Sequence, residues 1–168
     1  MFAEKDIAPG EEITIRYQGF NRMRRGDSNA EIHQLFFTKW EFMCPKGSIC
    51  QRSEILDVVD RSRDLYEVLE TLLNSKKFNP TVVEMVEQLL ENYETIGITT
   101  PAKAKTLYYG FCIALMKRDT IGCAMDFLNR CCHILDEIFP LGKGFCPQRE
   151  MWKRDLSTHP FYLIGEQV

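Results

Sequence analysis

The sequence predicts a mainly α fold with a small β portion near its beginning, and three patterns carry that prediction. From Ser53 to Ile138, apolar residues recur every three to four positions in four runs, the period of helices with one buried face. Between Ile13 and Tyr17 they alternate instead with Thr14 and Arg16, the period of a strand. Helix breakers and starters separate the runs: Asn74 to Lys77, Asn79-Pro80, Gly97, Thr100-Pro101 and Pro140. The chain therefore divides into residues 1–52, a helical-hairpin domain over 53–140, and a tail over 141–168.

In the first part, Ile7-Ala8-Pro9-Gly10 reads as a turn. Pro9 presets φ at the first central position and Gly10 tolerates the positive φ that a type II turn requires next. The strand that follows places Tyr17 on the same face as Ile13 and Ile15. A polar connector from Gln18 to Asn29 carries Arg22, Arg24 and Arg25 and reads as a solvated loop. A short helix from Glu31 to Trp40 then aligns Ile32, Leu35, Phe36 and Trp40.

Ser53 is the expected N-cap of the first long helix, which runs to about Leu73 with Val58, Ser62, Leu65, Tyr66, Leu69 and Leu72 on its inner stripe. The second starts with Pro80 at the first helical position and turns Val82, Met85, Val86, Leu89, Leu90 and Tyr93 inward until Gly97. The third starts at Thr100-Pro101 and buries Ala104, Leu107, Tyr108, Phe111, Cys112 and Leu115. The fourth, after Asp119, buries Ile121, Ala124, Met125, Leu128, Cys131, Leu135 and Ile138. Adjacent Cys131 and Cys132 are not expected both to face the core from one helix. Short turns make these helices antiparallel neighbours. The last two accept a tetratricopeptide-like register, Tyr108, Phe111, Cys112 and Leu115 followed by Ala124, Leu128 and Cys131. Trp152, Phe161, Tyr162 and Leu163 are expected to pin the tail to the helices.

Composition narrows the function classes. A net charge of −3 in 168 residues argues against broad nucleic-acid binding, which needs a basic surface. No apolar run reaches the length of a membrane span and no export signal stands at the start. Seven cysteines at irregular spacings suit reduced thiols, hence nucleus or cytoplasm, better than a disulfide framework. His33, His133 and His159 are dispersed, and none has a partner at catalytic or metal spacing.

Asp6-Ile7-Ala8-Pro9-Gly10-Glu11-Glu12-Ile13-Thr14-Ile15-Arg16-Tyr17 resembles the closing motif of SET-domain protein lysine methyltransferases, D-I-x-x-G-E-E-I/L-x-x-x-Y. Trp40-Glu41-Phe42-Met43-Cys44 is similar to the aromatic-x-F-x-C that opens their post-SET segment, especially in SET/MYND-type and related fungal proteins. Such proteins also carry a helical C-terminal domain. The resemblance covers roughly the first 50 residues. It implies a transfer of methyl from S-adenosylmethionine to a lysine of a protein or histone substrate.

By itself, a tyrosine on an apolar strand face packs as a core residue. By the resemblance, Tyr17 matches the catalytic tyrosine whose hydroxyl positions the lysine amine. Trp40 matches an aromatic wall of the substrate channel, and Phe42 a residue packed near the cofactor's adenine. Aromatic faces suit an ammonium through cation–π attraction. The family's upstream cofactor segments do not precede the motif, so only the end of a SET domain is expected, with no S-adenosylmethionine bound by this chain alone and no activity of its own.

The family's post-SET C-x-C-x-x-C is degenerate here. Cys44 matches the first ligand, Lys46 replaces the second, and Cys50 lies one residue past the third. Cys44 and Cys50 are candidate thiolates, but two do not close a structural zinc site that wants four ligands, so no zinc is expected. A second function class stays open: a helical-repeat module that binds a protein partner, with the first 50 or so residues as a vestigial cap.

Overall fold

A computed structural model describes residues 53–98, 100–138 and 148–166. Among these the regular structure is helical, with no strand. Helix α1 spans Ser53–Asn74, α2 Val82–Thr95, α3 Thr100–Ala114 and α4 Ile121–Ile138, and a short α5, Arg149–Arg154, begins the tail. The SET strands expected before residue 53 and the whole of the 1–52 segment lie outside the described residues.

Side-chain pairings fix the arrangement. Tyr93 meets Thr106 and Glu94 meets Lys103, while Cys131 reaches the carbonyl of Ala104, so both α2 and α4 run antiparallel to α3. Tyr66 and Glu70 of α1 meet Tyr109, so α1 also lies beside α3. Successive helices are thus antiparallel hairpins, as their short turns require. Helix α3 packs against α1, α2 and α4 together.

That central position explains where burial exceeds the expected stripe. A helix with neighbours on every side is apolar all round, and from Phe111 to Met116 every residue of the α3 end is buried. Gly110 permits the close approach, since a β-carbon there would lie 2.7 Å from Val86 Cγ2 and 3.1 Å from Phe127 Cδ2. The expected core positions Leu69, Val86, Leu89, Leu107, Phe111 and Leu128 are all buried. Ser62, on the inner stripe of α1, is also buried and returns its hydroxyl to the Val58 carbonyl at 2.6 Å.

Helix ends follow local chemistry. Gly97, at φ 65°, ends α2 with the Schellman pattern: Ile98 N–H to Tyr93 O at 2.8 Å and Gly97 N–H to Glu94 O at 3.2 Å. Helix α1 closes in the same way with Lys76 at φ 52°, through Lys77 N–H to Leu72 O and Lys76 N–H to Leu73 O. The start of α2 differs from expectation. Asn79 Oδ1 accepts from both the backbone N–H and the hydroxyl of Thr81 at 2.8 Å, so Pro80 lies in an Asx turn and the helix begins at Val82.

Cys131 and Cys132 are both buried, at 4% and 2% exposure, each against a different neighbour. Helix α4 is covered on two sides, with Cys131 facing α3 and Cys132 lying near Arg149 and Lys153 of α5. The tail supplies that second cover. Trp152 is buried in the core, Phe161 and Tyr162 pack half-buried against it, and Leu163 is half-buried.

Candidate functional site

Tyr17, Trp40, Phe42, Cys44 and Cys50 lie outside the described residues. What the helices assemble is a groove, a buried cysteine–histidine pair and an aromatic pair that holds a cation.

The groove, about 560 Å³, runs between α2, α3 and α4. Leu90, Leu107 and Ile134 contribute apolar surface, one from each helix, and charged residues flank them. Those charges are mutually engaged. Lys103 bonds Glu94 at 2.5 Å, and His133 Nδ1 lies 3.3 Å from Glu137. Arg130 grips Glu87 with two nitrogens, at 2.5 and 3.1 Å, and reaches Asp126 at 3.2 Å. The Glu87 carboxylate is the main cause of the raised Arg130 pKa, and burial opposes it. An apolar strip between paired charges suits binding a chain rather than activating a nucleophile.

His159 and Cys112 form the buried pair, Nε2 to Sγ at 3.8 Å. His159 Nδ1 accepts the Phe161 N–H at 3.2 Å, which assigns the ring proton to Nε2 and aims it at sulfur. Trp152, Phe111 and Phe161 box the ring at centroid distances of 4.4, 4.9 and 5.7 Å. Burial lowers the His159 pKa to about 4. A histidine held neutral, sealed from solvent and already donating to sulfur is not a general base for that thiol. Two further buried thiols give no better nucleophile: Cys131 donates to the Ala104 carbonyl at 3.3 Å, and burial pushes Cys132 up against the opposing pull of Lys153 and Arg149. Cys123 and Cys132 are free thiols.

The aromatic pair joins α1 to α3. The Tyr66 and Tyr109 rings stand 5.6 Å apart at an angle of 32°. Tyr66 donates to the Tyr109 hydroxyl at 3.4 Å, and Tyr109 donates to Glu70 Oε1 at 3.3 Å. Lys105 places its ammonium 5.2 Å from one ring centroid and 5.4 Å from the other. Burial is the leading cause of a raised Tyr66 pKa, and the Tyr109 hydrogen bond adds to it, so the phenol stays protonated.

Sequence reasoning placed Tyr66 on a buried stripe and missed Tyr109, which lies off the third-helix stripe. It read His159 as partnerless because Cys112 is 47 positions away. No local spacing signals either pairing. Among the described residues no cluster of three or more His, Cys, Asp or Glu side chains is placed to hold a metal ion, and no helix is long and apolar enough to cross a membrane.

No family model matches the chain, and neither the curated proteins nor the solved structures contain a significant match.

Proposed function

We propose that this chain is the C-terminal part of a SET-type protein lysine N-methyltransferase, joined to a helical domain that binds protein. The observation that carries the reading is the order of its sequence signals: Asp6 to Tyr17, then Trp40 to Cys44, then two helical hairpins. In the parent enzyme S-adenosylmethionine would supply the methyl group. Tyr17 would orient the lysine amine by hydrogen bonding, and Trp40 would wall the channel and favour the ammonium before deprotonation. Phe42 is the residue assigned to the adenine side. Cys44 and Cys50 provide two of the four ligands a structural zinc wants, and no zinc is assigned to them.

The helical domain supports the tetratricopeptide-like comparison through α3, which packs on both helices of the preceding hairpin as well as on its own partner. The groove favours a second reading in which protein binding is the chain's main activity. Such a protein would work in the nucleus or cytoplasm.

Two measurements test the methyltransferase reading. Nuclear Overhauser contacts between the Tyr17 and Trp40 rings are expected if both wall one channel, and their absence in a folded chain would overturn the assignment. Calorimetric titration with S-adenosylmethionine separates the roles. No saturable heat is expected from the chain alone, whereas saturable binding that supports methyl transfer and is impaired by Tyr17→Phe would establish an autonomous enzyme.

A further inference from the structure

The aromatic pair between α1 and α3 already seats a cation, and the charge around it is lopsided. From Ser53 to Thr95 the sequence carries ten carboxylates against four cations, a local net charge of −6, while the whole chain stands at −3. Helix α1 alone has six carboxylates and two arginines, and Glu67 is exposed one helical step from Tyr66. The first hairpin is therefore an acidic body with a two-ring cation seat at its junction with α3.

Lys105 holds that seat loosely. Its ammonium lies beyond 5 Å from both ring centroids, near the outer range of cation–π attraction, and the residue is exposed. It approaches Tyr109 from one turn away on the same helix. Glu70 sets a negative charge at the phenol edge of Tyr109, where its carboxylate accepts from the Tyr109 hydroxyl. An incoming alkylammonium in place of Lys105 would meet the half-buried Tyr66 ring and the rim of Tyr109, which is 9% exposed with Lys105 in place, with the acidic α1 surface attracting the rest of its chain.

We propose that Tyr66, Tyr109 and Glu70 form a docking site for a lysine-rich segment of a partner polypeptide, one ammonium of which displaces Lys105. The site stands on the helical domain and does not require the methyltransferase reading. Lys105 acts as an internal competitor: it neutralises the seat in the free chain and lowers affinity for weakly basic segments. Acidic surroundings speed encounter with a basic segment, and the rings give the contact its location.

The test uses the full chain with ring-labelled tyrosine, titrated with an octalysine peptide and with the same peptide fully Nε-acetylated. Octalysine is expected to shift the Tyr66 and Tyr109 ring resonances, and the acetylated peptide to leave them in place. Lys105→Gln should tighten octalysine binding about threefold, the scale of one exposed cation–π contact. That gain should vanish in a Tyr66→Leu background and persist with Tyr66→Phe, which keeps the ring. Octalysine binding that leaves the Tyr66 and Tyr109 ring resonances in place would overturn the site. So would an equal gain from Lys105→Gln with and without the Tyr66 ring, since lost charge repulsion alone would then account for it.

Discussion

The backbone N–H of Leu163 donates to the carbonyl of Leu115 at 3.0 Å, and Gly165 donates likewise to Met116 at 3.1 Å. These two bonds satisfy carbonyls at the end of a buried helix, where unpaired groups are costly. Thr120 closes the set by donating its hydroxyl to Ala114 O at 2.6 Å. The tail is thus the remote C-cap of α3. Ending the chain after Asp155 should cost at least about 2 kcal/mol from the two backbone bonds alone, and more from the uncovered aromatic residues. Urea denaturation reads the loss, and faster amide exchange across the end of α3 should accompany it. An unchanged midpoint would mean that α3 terminates without the tail.

His159 makes that cap sensitive to acid. Its pKa is lowered to about 4 by burial, against about 6.5 in an unfolded chain. Between these values the unfolded state binds the extra proton, so stability is full above about pH 6.5 and falls as the pH drops toward 4. The loss is on the order of 3 kcal/mol. A proton added at Nδ1 would also confront the Phe161 N–H that it now accepts. Urea midpoints of the wild type should decline from pH 7 to pH 5, and His159→Phe should flatten that part of the profile even if its stability at pH 7 is lower.

Gly110 allows α3 to sit against α2 and α4. Gly110→Ala would gain helix propensity, about 1 kcal/mol. Its new methyl would stand 2.7 Å from Val86 Cγ2 and within 3.2 Å of Phe127, and both neighbours are fully packed. Overpacking of this kind costs about 1–3 kcal/mol. A net destabilisation is expected, with partial recovery in Gly110→Ala/Val86→Ala, where the crowded methyl has been removed. Additive losses in that double-mutant cycle would show that the two positions do not compete for space.

The helices were legible because their signals are local. Val82, Val86 and Leu89 repeat at helical spacing, and Gly97 ends the run with the positive φ that only its type adopts freely. Pro80 misled by two residues because the Asn79 side chain captured the next turn. The sites were less legible, because each is made by residues far apart. Cys112 and His159 meet only after the tail folds back, and Tyr109 joins Tyr66 only when α3 lies beside α1. Cys132 is covered by α5, a second layer that periodicity on one helix cannot announce. Tyr17, Trp40 and Phe42 were singled out by motif resemblance, which works without knowledge of packing.

Lys76 offers a stabilising change. It occupies the left-handed region at φ 52° while closing α1, the position that glycine fills for α2. A β-carbon there costs about 1–2 kcal/mol, and glycine returns part of that gain through the greater entropy of the unfolded chain. Lys76 is exposed, so its side chain sacrifices little packing. Lys76→Gly should therefore raise stability by about 0.5–1 kcal/mol, readable as a higher urea midpoint with an unchanged denaturant slope. Leu163 has a similar φ of 51°, yet its side chain is half-buried in the tail, so Leu163→Gly should yield less or reverse the sign. Equal gains at both positions would mean that backbone strain alone sets the balance and that the tail's apolar contacts add nothing at Leu163.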